Sequence, residues 1–308
     1  MCTSPRSASF NLDGSINFSK KKHNREMVPF QLPCGKCTEC LLERARDWST
    51  RCIHEASTHA ENSFITLTYS DQHLPPDRKL HYLDFQLFMK RLRKLTNHEI
   101  GFFMCGEYGE ETQRPHYHAC IFGYDFPDKK YLRSNEHGDQ IWTSKLLDET
   151  WGFNDPVLKP NEVGSITQKS AGYVARYVLK KQDPNAPQGF QKMSRTNAIG
   201  KRFIERWWEA VFVNARGSVI LIDGTKTKVP RYYEKWLKEN KPEEWLCYVT
   251  ETKPKNTERL RKKAEAEHQI FLEERQKRGI NGYSYLSPLA RKREILKAKV
   301  QQLKRKFL

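Results

Sequence analysis

The 308-residue sequence has no long hydrophobic run. A helix that crosses a bilayer needs about 18 or more consecutive apolar residues, so we expect no membrane span. The first residues, MCTSPRSASFNLDG, do not contain the apolar core of a secretory signal peptide. We therefore expect an intracellular protein whose cysteines stay reduced. The sequence also has no internal repeat that would indicate a solenoid or a propeller.

Acidic residues are few relative to basic ones. Aspartate and glutamate total 37 against 54 lysines and arginines, which leaves a formal net charge of +17. Such an excess favours a polyanionic partner, and nucleic acid is the usual one. From residue 251 onward there are 17 lysines and arginines against 7 glutamates. This segment is predicted to be a solvated basic helix or a disordered arm.

Three of the eight cysteines follow the spacing C-x2-C-x2-C at Cys34, Cys37 and Cys40. In a reduced protein, thiols this close indicate a metal site before they indicate disulfides. A tetrahedral zinc site needs a fourth ligand. We prefer Cys2, which would tie the N-terminal segment to the cluster, and Cys52 is the alternative. An iron–sulfur cluster would accept the same spacing.

Two histidines, His116 and His118, lie in a short run that is typical of a β-strand. Alternate strand residues share one face, about 6 to 7 Å apart, and two neutral imidazoles can bind one metal ion. A preceding strand that ends at Glu107 would form a hairpin and bring this carboxylate beside the histidines. Glu110 and Glu111 are alternatives for the third ligand. A lone H-x-H is also common on ordinary strands.

Residues 171–181, AGYVARYVLKK, are predicted to form a helix. Tyr173 and Tyr177 are four positions apart and share one face, which Lys180 extends and Arg176 flanks. Tyrosine attacks phosphorus as its phenolate, and nearby positive charge lowers the phenol pKa from its usual value of about 10. The helix face therefore suits phosphoryl chemistry, although the same residues would also make a core stripe.

Other patterns predict the surrounding elements. We expect a helix over residues 38–59, a strand over residues 64–69 and a helix that begins at an Asp84 cap. Ser170 is expected to cap the tyrosine helix. Residues 125–151 are polar, and we expect a loop-rich excursion with one short helix at most.

Together, a strand with histidine-hydrophobic-histidine and a helix reading YVARYVLK resemble the two-tyrosine HUH endonucleases. The runs PCGKCTECLLERARDWSTRCIHEA, FITLTY and RPHYH resemble the replication initiation proteins of gokushoviruses, a group of microviruses with single-stranded DNA genomes. The resemblance covers residues 28–181 and also fits Cys2. One departure is Tyr117, where many relatives carry an aliphatic residue or phenylalanine, and we expect its side chain on the opposite sheet face.

The resemblance implies an α+β fold in which helices flank a central antiparallel, RRM-like sheet, with an N-terminal cysteine-rich metal knuckle. The implied domains are the knuckle and first helix over residues 1–60, an HUH nicking domain over residues 61–250 and the basic arm over residues 251–308. The histidine strand would lie in mid-sheet, with the tyrosine helix packed across its metal-binding face.

The resemblance also assigns roles to residues. His116, His118 and Glu107 would bind a catalytic Mg²⁺ or Mn²⁺, and Tyr173 and Tyr177 would be the nucleophiles. Because the tyrosines share a face, we expect either hydroxyl to reach the same phosphate with little backbone movement. Lys180 would orient the phosphate or phenolate. The remaining implied roles are DNA contacts at Arg176 and Lys181, and structural Zn²⁺ at Cys2, Cys34, Cys37 and Cys40.

The implied activity is sequence-specific nicking and rejoining of single-stranded DNA, which would start and end rolling-circle replication through a 5′-phosphotyrosine. The expected partners are single-stranded or supercoiled phage DNA at the origin and a host helicase and polymerase, with no membrane, in the host bacterial cytoplasm. One alternative is a non-catalytic zinc-containing nucleic-acid-binding protein. Another is a metal-dependent hydrolase that uses activated water and needs no tyrosine pair.

Overall fold

The computed structural model describes residues 2, 4–11, 15–18, 29–109, 112–135, 138–180, 188–221, 224–277 and 287–306. The chain divides into two compact units, Met1–Gly109 with Arg114–Arg206, and Glu110–Gln113 with Trp207–Leu308. The domain boundaries expected after residues 60 and 250 stay a prediction.

The first unit is built on a seven-stranded sheet, and every strand pair in it is antiparallel. Its strands, in chain order, are β4 (Asn62–Thr68), β5 (Gly101–Tyr108), β6 (Pro115–Phe122), β7 (Lys130–Ser134), β8 (Gln140–Thr143), β9 (Glu162–Gly164) and β10 (Phe190–Met193). The spatial order is β10-β5-β6-β4-β9-β8-β7, so the histidine strand β6 lies inside the sheet.

Helices flank this sheet, which confirms the predicted α+β class. They are α1 (Thr38–Ala56), α2 (Tyr82–Thr96), α3 (Lys145–Trp151), α4 (Gln168–Lys180) and α5 (Lys201–Glu209). The prediction of a loop-rich segment at residues 125–151 is wrong, because β7 and β8 form a hairpin there that extends the sheet. Only α3 matches the expected short helix.

The alternation along β6 separates two cores. Tyr117, Ala119 and Ile121 point to one face, where the apolar side chains of α2 and α3 cover them. Cys120 and Phe122, on the face of the two histidines, pack with residues of α1 and α4. The tyrosine helix therefore covers the histidine face, as the resemblance implies.

The starts of α2 and α4 differ from the predicted caps. His81, not Asp84, is the N-cap of α2, and the Asp84 carboxylate instead accepts a hydrogen bond of 2.6 Å from Tyr69. At α4, Thr167 Oγ1 accepts from the Ser170 N–H at 3.2 Å, while Ser170 Oγ accepts from the Thr167 N–H at 2.8 Å. Ser170 thus serves as the inner partner of a reciprocal cap.

The N-terminal segment adds a small sheet of β1 (Arg6–Phe10), β2 (Ile16–Asn17) and β3 (Phe30–Leu32) in the order β2-β1-β3. The cysteine cluster follows β3 directly and leads into α1, whose N-cap is Cys37. The predicted helix over residues 38–59 is confirmed, although it ends three residues earlier.

The second unit contains a hairpin of β11 (Ser218–Ile220) and β12 (Lys226–Lys228), followed by α6 (Arg231–Asn240), α7 (Pro242–Cys247), α8 (Lys253–Lys277) and α9 (Pro288–Lys306). Single π-helical turns occupy Ala210–Asn214 and Tyr248–Thr252. Most described side chains of α8 are exposed, as its scarcity of apolar residues predicts. Among the described residues, no helix is both long and apolar enough to span a bilayer.

Candidate active site

The β5–β6 hairpin brings together the three residues predicted to bind a metal. Its register pairs Glu107 with His116 and Cys105 with His118. The carboxylate therefore projects from one strand beside imidazoles on the next, on the face that α4 covers. The rival ligands Glu110 and Glu111 lie outside the described residues.

The three side chains converge on one carboxylate oxygen. Glu107 Oε1 lies 3.1 Å from His116 Nε2 and 3.2 Å from His118 Nε2. The ligand atoms of all three residues lie within 4.8 Å of one another. Such a set can hold one ion while leaving positions open for a substrate, which distinguishes it from a closed structural site.

Neighbouring groups orient both imidazoles. His116 Nδ1 lies 3.1 Å from the carbonyl oxygen of Arg114, and His118 Nδ1 lies 3.0 Å from Thr66 Oγ1 on β4. These contacts leave both Nε2 atoms facing Glu107, an arrangement that is typical of metal-binding histidines. Thr66 escaped the sequence analysis, because only the pairing of Thr66 with His118 across β4 and β6 reveals it.

The site combines burial with compensating charge. The Glu107 side chain is 4% exposed, against 19% for His116 and 13% for His118. Burial alone would raise the pKa of Glu107, but hydrogen bonds and charge from the two histidines outweigh it and hold this pKa well below its usual value. The carboxylate is therefore ionised and suited to a cation.

Tyr173 lies directly at this cluster. Its hydroxyl donates a hydrogen bond to Glu107 Oε1, and its ring meets that of His118 edge-on at 4.8 Å between centroids. The ring is half-buried on the inner side of α4. A nucleophile and a prospective metal site thus share one carboxylate oxygen.

Tyr177 has different surroundings, so the expectation that both hydroxyls are equally placed is wrong. Its side chain belongs to the core and the residue is only 5% exposed. Burial raises the pKa of this phenol, and a hydrogen bond from the Gly189 backbone opposes the increase. Sequence analysis missed Gly189, for which the only signal is a glycine next to a short β-prone run.

The predicted cationic residues are placed only in part. The Arg176 guanidinium folds back over Gly172, and its buried Nε has no hydrogen-bond partner among the described residues. Burial lowers the pKa of Arg176, while nearby Tyr173 raises it. Lys180 is the last residue of α4, and its side chain lies outside the described part of the chain. Lys181 lies entirely outside the described residues.

The four predicted zinc ligands also come together. The sulfurs of Cys2, Cys34, Cys37 and Cys40 lie within 4.8 Å of one another. Those of Cys2 and Cys37 are 3.7 Å apart, close to the spacing of about 3.8 Å that tetrahedral Zn–S bonds would require. The rival ligand Cys52 is buried in the core next to Cys120, away from this cluster.

The electrostatics of the thiols fit a cation at their centre. Backbone N–H groups of Lys36 and Cys37 donate to Cys34 Sγ and lower the pKa of this thiol. Burial instead raises the pKa of Cys40 to about 12. A bound cation deprotonates a coordinating thiol outright and so counteracts this effect of burial.

Comparison with known proteins agrees with this arrangement. Residues 62–182 match the family model of the phage replication-associated protein ORF2. The replication-associated protein VP4 of Bdellovibrio phage phiMH2K is 37% identical over 326 aligned residues, which cover 99% of each chain. The replication-associated protein ORF2 of Spiroplasma virus 4 is 30% identical, with 76% of each chain covered.

A third relative, the replication-associated protein ORF4 of Chlamydia phage 1, is 30% identical over 75% of this chain and 58% of its own length. No solved structure matches the chain. The similarity to the Bdellovibrio phage protein spans both chains almost completely, and the matched family model contains the whole histidine and tyrosine site. The chain therefore belongs to the replication-associated proteins of small phages, as a rolling-circle initiator of the microvirus type.

Proposed function

We propose that this protein nicks and rejoins single-stranded DNA at the phage replication origin through a 5′-phosphotyrosine intermediate. The observation that supports this most directly is the hydrogen bond from Tyr173 to the Glu107 oxygen that both histidines contact. A nucleophile next to a buried anionic site is what metal-assisted transesterification of a phosphodiester needs. The reaction would start and end rolling-circle replication.

The step exchanges one ester for another. The tyrosine oxygen forms a bond to phosphorus, and the bond between phosphorus and the 3′-oxygen breaks. The phenolic proton ends, in the net reaction, on the departing 3′-oxygen. The DNA then carries a 3′-hydroxyl that a host polymerase can extend, while the 5′-phosphate stays on the protein. In the reverse reaction, a 3′-hydroxyl attacks the phosphotyrosine and reseals the strand.

The residues around the site would have distinct tasks. Glu107, His116 and His118 would hold Mg²⁺ or Mn²⁺, which supplies Lewis-acid polarisation of a phosphate oxygen when bound. The mixed nitrogen and oxygen donors fit Mn²⁺ more closely than Mg²⁺, since Mg²⁺ prefers oxygen ligands. Arg176, whose Nε lacks a described partner, would pair with a DNA phosphate, and we propose the same for Lys180 and Lys181.

The cysteine cluster would hold a structural Zn²⁺ that joins the N-terminal segment to α1. Host helicase and polymerase would act on the nicked DNA, in the host cytoplasm. In the competing proposal, a non-catalytic DNA-binding protein, the histidines would belong to a closed metal site. Three described ligands with a tyrosine beside them favour catalysis instead.

The function can be tested with 3′-labelled single-stranded oligonucleotides that tile the encoding phage genome. With Mn²⁺ or Mg²⁺ present, we expect the label to become covalently attached to the full-length protein. The variant His116→Ala/His118→Ala should lose at least about 100-fold in adduct formation, because it removes the groups that would hold the ion. DNA binding should change little, since it depends on the basic surface.

His98→Ala is the matched control, because His98 is an exposed histidine outside the cluster. It should form the adduct at the wild-type rate. Wild-type adduct formation by the double histidine variant would show that the metal site is misassigned. Absence of any adduct with the wild-type protein would refute covalent nicking and favour the non-catalytic alternative.

A further inference from the structure

The two tyrosines of α4 differ in what confines their hydroxyls. Tyr173 donates to Glu107 at the edge of the site, whereas Tyr177 points toward the start of β10. A Cβ atom at Gly189 would overlap both the Tyr177 hydroxyl and the carbonyl oxygen of Gly106. Only glycine therefore fits between the phenol and β5, and the Gly189 N–H hydrogen-bonds the same hydroxyl.

Strand β10 also holds the helix that carries the tyrosines. The Gln191 side-chain amide donates to the carbonyl oxygen of Val174, and it lies 3.3 Å from that of Ala175. Phe190 pairs with Gly106, the residue before Glu107. Strand, helix and metal site are thus coupled through Gly189, Gln191 and Tyr177.

The same strand is a weakly restrained element. It has four residues and forms one edge of the sheet, pairing with β5 alone. A short edge strand opens locally more easily than a central one, because fewer backbone hydrogen bonds and contacts hold it. The contacts that confine Tyr177 therefore belong to a part of the fold that can release them.

We propose that Tyr173 makes the first cleavage and that the start of β10, at Gly189, holds Tyr177 in reserve until this strand end opens. The inference rests on the proposed function and adds an order to it. Tyr173 needs no rearrangement of β10 to act at the cluster. Tyr177 must first leave the Gly189 backbone and then attack a second phosphodiester by the same exchange of esters. Gly189 and Gln191 are positioning residues in this scheme.

The experiment measures which tyrosine carries DNA after one turnover. Arg176 separates the two tyrosines, so trypsin yields one peptide with Tyr173, residues 170–176, and another with Tyr177, residues 177–180. Full-length protein is incubated with the 3′-labelled genome-tiling oligonucleotides, and the DNA-linked peptides are quantified by mass spectrometry. We expect at least about tenfold more DNA on the first peptide, and Tyr173→Phe should lower the cleavage rate by a similar factor.

Two variants probe the strand itself. Gly189→Ala places a methyl group where the Tyr177 hydroxyl lies, and Gln191→Ala removes the amide that holds α4. Each should shift the ratio of DNA-linked peptides toward Tyr177 by at least about threefold. If Gly189→Ala fails to fold, Gln191→Ala decides. Gly164→Ala is the control, because a Cβ there meets its nearest neighbour at 3.7 Å and should leave the ratio unchanged.

The outcomes separate this inference from the proposed function. Equal amounts of DNA on both wild-type peptides would overturn the order while leaving covalent nicking intact. An unchanged ratio in the folded strand variants would overturn the role of β10. No adduct on either peptide would refute the proposed function, and the order would fall with it.

Discussion

Tyr117 lies between the two histidines and has its own structural task on the other face of the sheet. Its buried hydroxyl accepts a hydrogen bond of 3.0 Å from the His81 N–H and lies 2.9 Å from the His81 carbonyl oxygen. It also lies 3.0 Å from the Tyr69 hydroxyl. The residue that departs from many relatives thus secures the start of α2 without touching the metal face.

Replacing this hydroxyl should therefore affect stability and not chemistry. Tyr117→Phe leaves polar groups of His81 and Tyr69 without a partner in the core, and we expect the free energy of unfolding to fall by about 1 to 3 kcal/mol. Urea denaturation measures the change. Tyr131→Phe is the control, since Tyr131 is 61% exposed on β7 and should shift stability by less than about 0.5 kcal/mol. An unchanged midpoint for Tyr117→Phe, or a loss of adduct formation by the folded variant, would contradict this assignment.

At the level of single residues, sequence indicated the metal cluster better than its surroundings. The spacing of His116 and His118 places both on one strand face, and a hairpin then brings Glu107 opposite. The burial of Tyr177 was not predictable, because helical spacing alone puts it on the same face as Tyr173. Its confinement depends on Gly189, which only the tertiary fold brings close.

Among the elements, the cysteine segment before α1 makes the clearest prediction. Zinc bound by Cys2, Cys34, Cys37 and Cys40 should be retained through purification in the presence of magnesium, at about one ion per chain. Cys34→Ser/Cys37→Ser should lose this zinc and lower the melting temperature by several degrees, because metal binding there stabilises the folded state. Metal analysis and thermal denaturation provide the two readings.

Cys247→Ser serves as the control, because Cys247 is exposed and lies outside the cluster. It should keep both the zinc and the melting temperature of the wild type. An iron–sulfur absorption band, or purified protein without zinc, would contradict the assignment.

Long amphipathic elements were predictable, and short edge strands were not. Helix α1 shows apolar residues at steps of three and four, and β4 alternates strictly between buried and half-buried positions. By contrast, β7 is exposed along its whole length and β10 has four residues, so neither carries a hydrophobic alternation. Their strand structure comes from pairing with distant segments, which local sequence does not encode.

For the whole molecule, the basic charge and the fold point to the same partner. The net charge of +17 favours DNA phosphates, while the central sheet and α4 supply a nucleophile at an anionic site. The general arrangement followed from two motifs, but the seven-strand order required the structure. The polar composition of residues 125–151 predicts loops, although two segments of this stretch continue the sheet.

The central claim is that a tyrosine of α4 becomes covalently joined to DNA. Its most direct test is the double variant Tyr173→Phe/Tyr177→Phe, which keeps both rings and removes only the two hydroxyls. Labelled single-stranded DNA is incubated with each protein and Mn²⁺, and the adducts are mapped to peptides. We expect wild-type adducts only on peptides that contain Tyr173 or Tyr177, and none with the double variant. Robust adduct formation by the double variant, or a DNA-linked peptide with neither tyrosine, would contradict the account.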